Sequence, residues 1–149
     1  MSIRLQLEGF DGLLSKIEKA GGSIDSVAKE CLKKSADIMH DALTTEMQKS
    51  NVDSGLIERM PTPDIETNGN VHSARVGYKK GTYDENNPSD GYKIVFLNYG
   101  TPKRSKHGKI EDGGKVKLGF IGRAQSKARP QIKKAQQEAK NEIMKGLSN

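Results

Sequence analysis

Histidine and cysteine are the residues in this sequence most suited to binding a metal, so their spacing is the first chemical question. His40, His72 and His107 lie far apart along the chain, and Cys31 is the single cysteine. A zinc site needs several such ligands in local patterns such as His-x-x-x-His or Cys-x-x-Cys, and neither pattern is present. We therefore expect no zinc site, a surface position for His40, and a place for Cys31 as a small core residue.

Two segments partly match ion-binding loops. Asp84, Asn86 and Asp90 loosely resemble a calcium loop, but Pro88 interrupts them and the glycine and terminal glutamate are missing, so we interpret the segment as a polar turn. The segment 108–115 resembles a phosphate-binding loop, but Val116 follows Lys115 where a hydroxyl should bind magnesium. Neither segment predicts a cofactor site.

The sequence also lacks the residue pattern that nucleophilic catalysis requires. Ser54 stands between Asp53 and Gly55, which is not the pattern of a nucleophile elbow, and no base lies near it in the sequence. No catalytic constellation and no cofactor site is predicted, so we expect a binding or structural protein rather than an enzyme.

Composition places the chain on the polar side of globular proteins. It has 149 residues, of which 33% are hydrophobic and 5% aromatic, and its mean hydropathy is -0.74. We expect one domain, spanning residues 1–149, with a thin core that partner subunits help to stabilise. No apolar run approaches the length of a membrane span, and Met1 to Phe10 lacks the features of a signal peptide. A soluble protein made in the cytoplasm, without a membrane partner, is the expectation.

The charge is distributed unevenly along the chain. Residues 1–102 hold 12 Lys+Arg and 15 Asp+Glu, whereas residues 103–149 hold 13 and 4, a net charge of +9. A basic surface attracts polyanions, while a bipolar subunit can stack on other subunits through faces of opposite sign. Charge alone leaves both interpretations open, together with a merely solvated basic helix.

Two long helices are predicted from apolar residues that recur at spacings of three and four. The first runs from Ile24 to Met47, and the second from Ile121 to Leu147. Pro130 interrupts the second, so either that helix kinks or a short turn precedes a helix that begins near Pro130. A short helix is expected after Asp11, a plausible N-cap, and before Gly21-Gly22.

Strands are predicted where apolar residues alternate or β-favouring residues cluster. Met1–Leu7 alternates and predicts a short strand or an extended arm, while 71–79 and 92–99 predict two strands that pair as an antiparallel hairpin. Asn51–Asn70 is predicted to be a loop, with one turn of helix or a short strand at 56–60. The fold class is therefore α+β: a small antiparallel sheet packed against two long helices.

A long basic loop is predicted between the last strand and the C-terminal helix. Residues 100–119 are rich in glycine, and such a length is usually functional or disordered until bound. Its six cations are Lys103, Arg104, Lys106, Lys109, Lys115 and Lys117.

Three motifs in a fixed order resemble the tail-completion family of long-tailed bacteriophages, the small neck proteins that join head to tail. The resemblance spans about Leu5 to Leu147. The family's first motif is a proline followed by Asp-Thr-Gly-x-Leu. Here Val52 precedes Asp53-Ser54-Gly55-Leu56, so Ser54 replaces threonine and the leucine follows Gly55 directly.

The second motif of the family is aromatic, Val, Glu, aromatic, Gly, Thr. This sequence matches it at Phe96, Tyr99, Gly100 and Thr101 but has Asn98 for the glutamate. The third motif, an aromatic followed by small and basic residues before a helix, corresponds to 120–124 and begins at Phe120. As turn chemistry, Asp53 and Ser54 can hydrogen-bond their own turn, Gly55 and Gly100 permit positive φ or close approach, and Thr101-Pro102 is expected to end a strand.

The resemblance implies a structural virion protein that forms a ring of six copies at the head-proximal end of the tail. Such a ring joins the tail to the head connector and leaves a channel for the genomic DNA. Its partners would be the head-closure or connector protein, the major tail tube protein and the passing DNA. The protein would reside in the neck of the virion, and in the bacterial host cytoplasm during assembly. A monomeric state before docking is compatible with this role.

Under this interpretation the basic loop contacts a neighbouring subunit or tail-tube ring, or lines the channel near DNA. We favour the subunit contact, because a conduit that bound DNA tightly would impede ejection. The alternative function is a basic nucleic-acid-binding module, although Phe120 is the single aromatic residue in the basic segment 103–149 that could stack on a base. A head-closure ring is a further alternative, but that fold is mostly β and has no place for two long helices.

Overall fold

The computed structural model describes residues 2–7, 11–19, 24–69, 71–79, 81, 88–104, 110–115 and 117–148. Its elements follow in the order β1 (Ser2–Gln6), α1 (Asp11–Lys19), α2 (Ile24–Lys49), α3 (Ser54–Glu58), β2 (Asp64–Asn68), β3 (Val71–Gly77), α4 (Asp90–Tyr99), β4 (Thr101–Arg104), β5 (Ile110–Lys115) and α5 (Phe120–Ser148). The α+β prediction is confirmed: a small antiparallel sheet packs against the long helices α2 and α5. None of the helices in the described ranges combines the length and the hydrophobicity that a membrane span requires.

The main sheet has three antiparallel strands in the order β1-β3-β2. Ile3 lies opposite Val76, and Ile65 lies opposite Ala74. Ile3, Ala74 and Val76 are buried, because alternate residues of a strand face the same side and this side covers α2. The other side, here called the outer face, carries the exposed side chains of Arg4 and Arg75.

Helix α2 forms because one stripe of its surface is apolar over its whole length. The helical spacing of its buried residues is as predicted, although three of them, Ser35, Ala36 and Glu46, are not in the predicted stripe. The buried residues are Ala28, Cys31, Leu32, Ser35, Ala36, Met39, Leu43, Glu46 and Met47. The prediction that Cys31 is a core residue is confirmed, and burial raises the pKa of its thiol. His40 is half-buried on the flank of the stripe rather than fully at the surface.

Helix α5 runs without interruption from Phe120 to Ser148 and contains Pro130. The alternative of a separate turn before Pro130 is therefore wrong. Its first half is anchored in the core by Phe120, Ala124 and Ala128, which recur every four residues and are buried. Proline has no backbone N–H, so one hydrogen bond of the helix is missing at Pro130. Pro130 is exposed, so this missing hydrogen bond lies on the side of α5 that faces away from the core.

Residues 92–99 form the helix α4, so the prediction of a strand there is wrong. Ser89 caps the N-terminus, because its Oγ accepts a hydrogen bond from the Tyr92 N–H (3.4 Å), and Gly100 caps the C-terminus. Ile94 and Asn98 are buried one helical turn apart. The caps and the burial of one helical face outweigh the β-propensity of the sequence.

The predicted hairpin between 71–79 and 92–99 is consequently wrong as well. The strand expected at 71–79 is confirmed as β3, but its partners are β1 and β2. The N-terminal segment is the strand β1, not an arm. Residues 51–70, predicted as a loop, contain the helical turn α3 and the edge strand β2, which Gly69 at φ 61° links tightly to β3.

The predicted basic loop is not wholly a loop. Residues 101–104 and 110–115 form the antiparallel pair β4–β5, in which Thr101 lies opposite Lys115 and Lys103 opposite Glu111. Thr101-Pro102 therefore begins a strand rather than ending one, because the preceding element is a helix that stops at Tyr99. The hairpin adds a second, two-stranded sheet to the fold.

Candidate functional site

The second and third motifs meet where α4 ends and α5 begins. Three hydrogen bonds join these two segments, and we call this junction the stem. The Leu118 N–H donates to the Leu97 carbonyl (3.2 Å), the Gly119 N–H to the Asn98 carbonyl (3.0 Å), and the Ile121 N–H to Oδ1 of Asn98 (3.0 Å). The β4–β5 hairpin leaves and re-enters the fold at the stem, so its base is fixed to both helices.

Asn98 is the residue that closes the stem. Its side chain is buried, with 3% of the residue exposed. The first N–H groups of a helix have no partner within the helix, and the amide oxygen of Asn98 satisfies one of them at the start of α5. In the sequence Asn98 is a departure from the family pattern; the one signal of its role is a polar residue within an otherwise apolar run.

Two glycines with positive φ flank the hairpin. Gly100 has φ 78°, and its N–H donates to the Phe96 carbonyl (2.8 Å); Gly119 has φ 65°. These left-handed conformations are costly for residues with a side chain. The expectation of a positive φ is confirmed for Gly100. Gly55 lies within helix α3 and does not have a positive φ; glycine suits this position because side chains of neighbouring residues lie close to it.

The predicted basic residues are distributed over the hairpin and its base. Lys103 and Arg104 lie in β4, Lys115 lies in β5, and Lys106 and Lys109 lie outside the described residues. Lys117 is exposed at the base, where its Nζ lies 6.0 Å from the ring centre of Tyr99. A cation at this distance interacts favourably with the face of the ring.

Helix α4 exposes aromatic side chains beside the hairpin. Tyr99 is 53% exposed and Phe96 36%, and the rings of Tyr92 and Phe96 are 4.5 Å apart at an angle of 57°. This side of α4 and the outer face of the sheet border an open groove of about 900 Å³, whose lining includes Tyr92, Val95, Phe96, Asp64, Glu66 and Arg75. Exposed aromatic residues of this kind are typical of contact surfaces between proteins.

The first motif forms the start of α3. Asp53 is the N-cap, and its Oδ1 accepts a hydrogen bond from the Leu56 N–H (3.1 Å), as expected from turn chemistry. Ser54 is the exposed first residue of the helix. A Cβ on Gly55 would lie 3.1 Å from Oδ1 of Asp53 and 3.2 Å from Nη1 of Arg59, so glycine leaves room for both side chains.

Helix α3 is held between α4 and β3. Arg59 donates two hydrogen bonds to the Asp90 carboxylate, at 2.9 and 3.1 Å, and these hydrogen bonds lower the pKa of Asp90. The Tyr78 hydroxyl, at the end of β3, donates to the Leu56 carbonyl (2.6 Å). Burial raises the pKa of Tyr78 to about 12. The helix that begins with the first motif thus contacts Tyr78 through Leu56 and α4 through its C-cap Arg59.

A buried carboxylate that sequence reasoning missed clamps α2 to α5. Glu46 has a side chain only 3% exposed and accepts hydrogen bonds from Nε of Arg123 (3.0 Å) and from Nζ of Lys127. Lys49 lies 3.7 Å from the same carboxylate. Hydrogen bonds from Lys127 and Arg123 lower the pKa of Glu46 to about 2.

Arg123 belongs to the third motif and extends the clamp to the stem. Its Nη1 donates to the Leu118 carbonyl (2.5 Å) and its Nη2 to the Ser50 hydroxyl (2.7 Å). The third motif therefore fixes the start of α5 in two ways: Phe120 is fully buried in the core, and Arg123 links α2 to the backbone of the stem.

The site consists of buried residues that fix the helices in place and of exposed aromatic side chains on α4. Within the described ranges, no group of three or more His, Cys, Asp or Glu residues is placed to hold a metal ion. The second and third motifs meet at the stem, which carries the hairpin, and the exposed Phe96 and Tyr99 of α4 lie beside it.

In comparisons with known proteins, no family model, no curated protein and no solved structure matches this chain.

Proposed function

We propose that the protein is a structural subunit of the neck of a long-tailed bacteriophage, where copies of it form a ring at the head-proximal end of the tail. The observation that carries this proposal is the stem. The second and third motifs, two of the three that carry the resemblance to tail-completion proteins, are joined there by the contact between Asn98 and Ile121. The α+β fold with two long helices is the fold that the resemblance implies.

In this role the β4–β5 hairpin is the arm that contacts a neighbouring subunit or the adjoining ring. Its base is fixed by hydrogen bonds between α4 and α5, so a partner that binds the hairpin is held in a defined position relative to both helices. The exposed Phe96 and Tyr99 beside the base supply apolar contact area. The partners in this role are the head-closure or connector protein, the major tail tube protein and the DNA that passes through the channel.

The proposal assigns the protein a structural role without catalysis or cofactor, in the virion neck and, during assembly, in the cytoplasm of the bacterial host. A ring of six copies, the number that the resemblance implies, leaves an axial channel for DNA. The bipolar charge of the chain, acidic before residue 103 and basic after it, favours contacts between faces of opposite sign.

One observation favours the alternative of a nucleic-acid-binding module: α5 exposes several cations, among them Arg129, Lys133 and Lys134. Phosphate contacts by such residues give an affinity that falls steeply with salt and carries no sequence preference. Duplex DNA binding that survives about 0.2 M salt and depends on sequence would favour this module over the neck subunit.

The test of the neck role is electron microscopy of a lysate from the parent phage or induced prophage with this gene deleted. Filled heads beside detached tails of normal length would establish a joining role. Overlong tails would assign the protein to tail termination instead. Intact, infectious particles would contradict the neck role, and a plasmid copy of the gene should restore joined particles if the defect arises from this protein.

A further inference from the structure

The three-stranded sheet has two edge strands with different surroundings. In the described part of the chain, β3 is the only strand that pairs with β1 and the only strand that pairs with β2. An edge strand presents a row of backbone N–H and C=O groups that another strand can bind. This sheet therefore offers two places at which a further strand can be added.

The β1 edge lies along a basic groove. Four consecutive residues of β1 line this groove of about 630 Å³, which we call the β1 groove, and α5 forms its opposite wall. Its charged lining residues are Arg4, Arg129, Lys133 and Lys140. No carboxylate is among the described residues that line it, while the side chains of Gln6, Gln125, Gln136 and Gln137 add polar groups.

The β2 edge is acidic. Residues 60–70, which contain β2, include Asp64 and Glu66 and no Lys or Arg. Asp64 is exposed, and the whole strand is exposed or half-buried. Glu66 contacts Arg4 and Arg75 across the outer face, at 3.7 and 3.3 Å, so Asp64 is the carboxylate of this edge most accessible to another molecule.

These charges discriminate between the ways in which two copies can join their sheets. A symmetric β1–β1 pair would bring two basic grooves together, and a symmetric β2–β2 pair would bring two acidic strands together; like charges at an interface are unfavourable. Only the β1–β2 pair joins opposite charges. That pair uses different surfaces on the two copies and is therefore head-to-tail.

We propose that the β1 groove is the docking site for β2 of a second copy of this chain. Because β1 and β2 both run antiparallel to β3, they run parallel to each other, and the added strand forms a parallel pair when the sheet continues in the same orientation. Arg129 and Lys133 on α5 face the acidic strand. Repetition of a head-to-tail contact closes into a ring or grows into a filament.

This inference rests on the proposed function for its biological setting, since a ring subunit needs a head-to-tail contact. It adds to that proposal the two surfaces that meet. The inference can nevertheless be tested independently of the proposed function, because the contact can be measured on the purified protein without any phage.

The test uses two charge-reversal variants of the full-length chain. The strand variant combines Asp64→Lys with Asn68→Lys and leaves Glu66 and its partners in place; the groove variant combines Arg129→Glu with Lys133→Glu. All four side chains are exposed, so the core is unchanged. Sedimentation velocity is recorded up to about 1 mM protein, at about 0.1 M and about 1 M salt, between which the Debye length falls from about 10 Å to about 3 Å.

We expect the natural chain to self-associate, more strongly at low salt, and each variant alone to associate at least about tenfold more weakly. A mixture of the two variants should regain association, because the acidic β2 of the groove variant fits the basic groove of the strand variant, and the converse pair is also complementary. Oligomers in the mixture should contain the two variants in equal numbers.

Matched controls separate this contact from a general effect of charge. Asp41→Lys with Gln48→Lys changes the charge as the strand variant does, on the exposed side of α2, and Lys134→Glu with Lys145→Glu reverses two exposed cations of α5 that do not line the β1 groove. Both controls should associate as the natural chain does. Controls that fail as the test variants do would overturn the proposal.

Three other results would also overturn it: a natural chain that stays monomeric at every concentration, single variants that associate normally, or a mixture that stays dissociated. None of these results concerns the gene-deletion phenotype. Conversely, intact deletion phage would remove the neck role and leave the sedimentation result unchanged, so failure of one proposal is distinguishable from failure of the other.

Discussion

The side-chain oxygen of Asn98, in the last turn of α4, accepts a hydrogen bond from the backbone N–H of Ile121, in the first turn of α5, at 3.0 Å. The two residues are 23 positions apart, and the β4–β5 hairpin occupies most of the chain between them. This contact fixes both ends of the hairpin to the helical layer. Disturbing it should affect the stability of the fold and the position of the hairpin together.

Replacement of Asn98 by alanine should lower the free energy of unfolding by about 1–3 kcal/mol, because a buried helix N–H is left without its acceptor. Urea denaturation measures this difference. Asn141→Ala, at an exposed position of α5, is the matched control and should change stability by less than about 0.5 kcal/mol. Equal losses in the two variants would show that the stem contact contributes nothing specific.

Stability in acid should depend on Glu46. The pKa of Glu46 is about 2 in the folded protein, below its ordinary value of 4.5, so its contribution is fully present above pH 4.5 and is lost as the pH falls towards 2. At neutral pH Glu46→Gln should destabilise the protein by about 2 kcal/mol, since Arg123 and Lys127 lose their buried partner but remain half-exposed.

Urea denaturation at a series of pH values between 7 and 2.5 distinguishes this effect from general acid unfolding. The Glu46→Gln variant should lose less stability across that range than the natural chain. Glu30→Gln is the control, because Glu30 is 72% exposed and its ion pair with Lys34 lies on the same helix. Parallel curves for the natural chain and Glu46→Gln would contradict the role assigned to Glu46.

Stability in alkali should depend on Tyr78. Its folded pKa of about 12 exceeds the ordinary value of 10, so its contribution is present below pH 10 and is lost as the pH rises towards 12. Tyr78→Phe should cost about 1 kcal/mol at neutral pH through the lost hydrogen bond to Leu56. It should also flatten the decline in stability above pH 10, whereas Tyr99→Phe, at an exposed position, should change neither.

The stem provides an internal comparison of two glycines three residues apart. Gly119→Ala should destabilise by about 1–2 kcal/mol, because φ is 65° there. Gly122→Ala should stabilise by about 0.5–1 kcal/mol, because Gly122 lies within α5 with nothing close to an added Cβ. Thermal unfolding reports both effects, and changes of the same sign would contradict the backbone geometry of the stem.

Removing positive charges from the β4–β5 hairpin should impair assembly without impairing folding. If the charges of the hairpin act in assembly rather than in folding, Lys103→Gln, Arg104→Gln and Lys115→Gln together should leave the free energy of unfolding within about 0.5 kcal/mol. Under the proposed function, phage carrying this variant should yield unjoined heads and tails. Lys33→Gln, Lys134→Gln and Lys145→Gln, three exposed helix positions, form the matched control and should yield intact particles.

Periodicity in the sequence was sufficient for the long elements. The apolar stripe of α2 predicts its start and most of its length, and the alternation of Ala74, Val76 and Tyr78 predicts the buried face of β3. Local burial patterns of this kind are written along consecutive residues, so they need no knowledge of distant partners. The fold class followed from them.

Prediction was wrong where local propensity and capping disagreed. Ile94, Val95 and Phe96 favour a strand by composition, yet Ser89 and Gly100 cap a helix around them. The burial of Ile94 and Asn98, one helical turn apart, stabilises that helix. β2 was missed because Pro61, Pro63 and Gly69 frame it as a loop, and its strand character comes from pairing with β3.

The amino-acid sequence alone predicts the two long helices, the buried strand, the order of the three motifs and the uneven charge, because each is a property of neighbouring residues. The role of Glu46 as a buried clamp emerges from the folded structure, since its partners Arg123 and Lys127 stand 77 and 81 positions away. The cap that Asn98 provides for α5 and the basic groove along β1 emerge in the same way. These features depend on contacts between distant segments, and only packing of the whole chain brings such groups together.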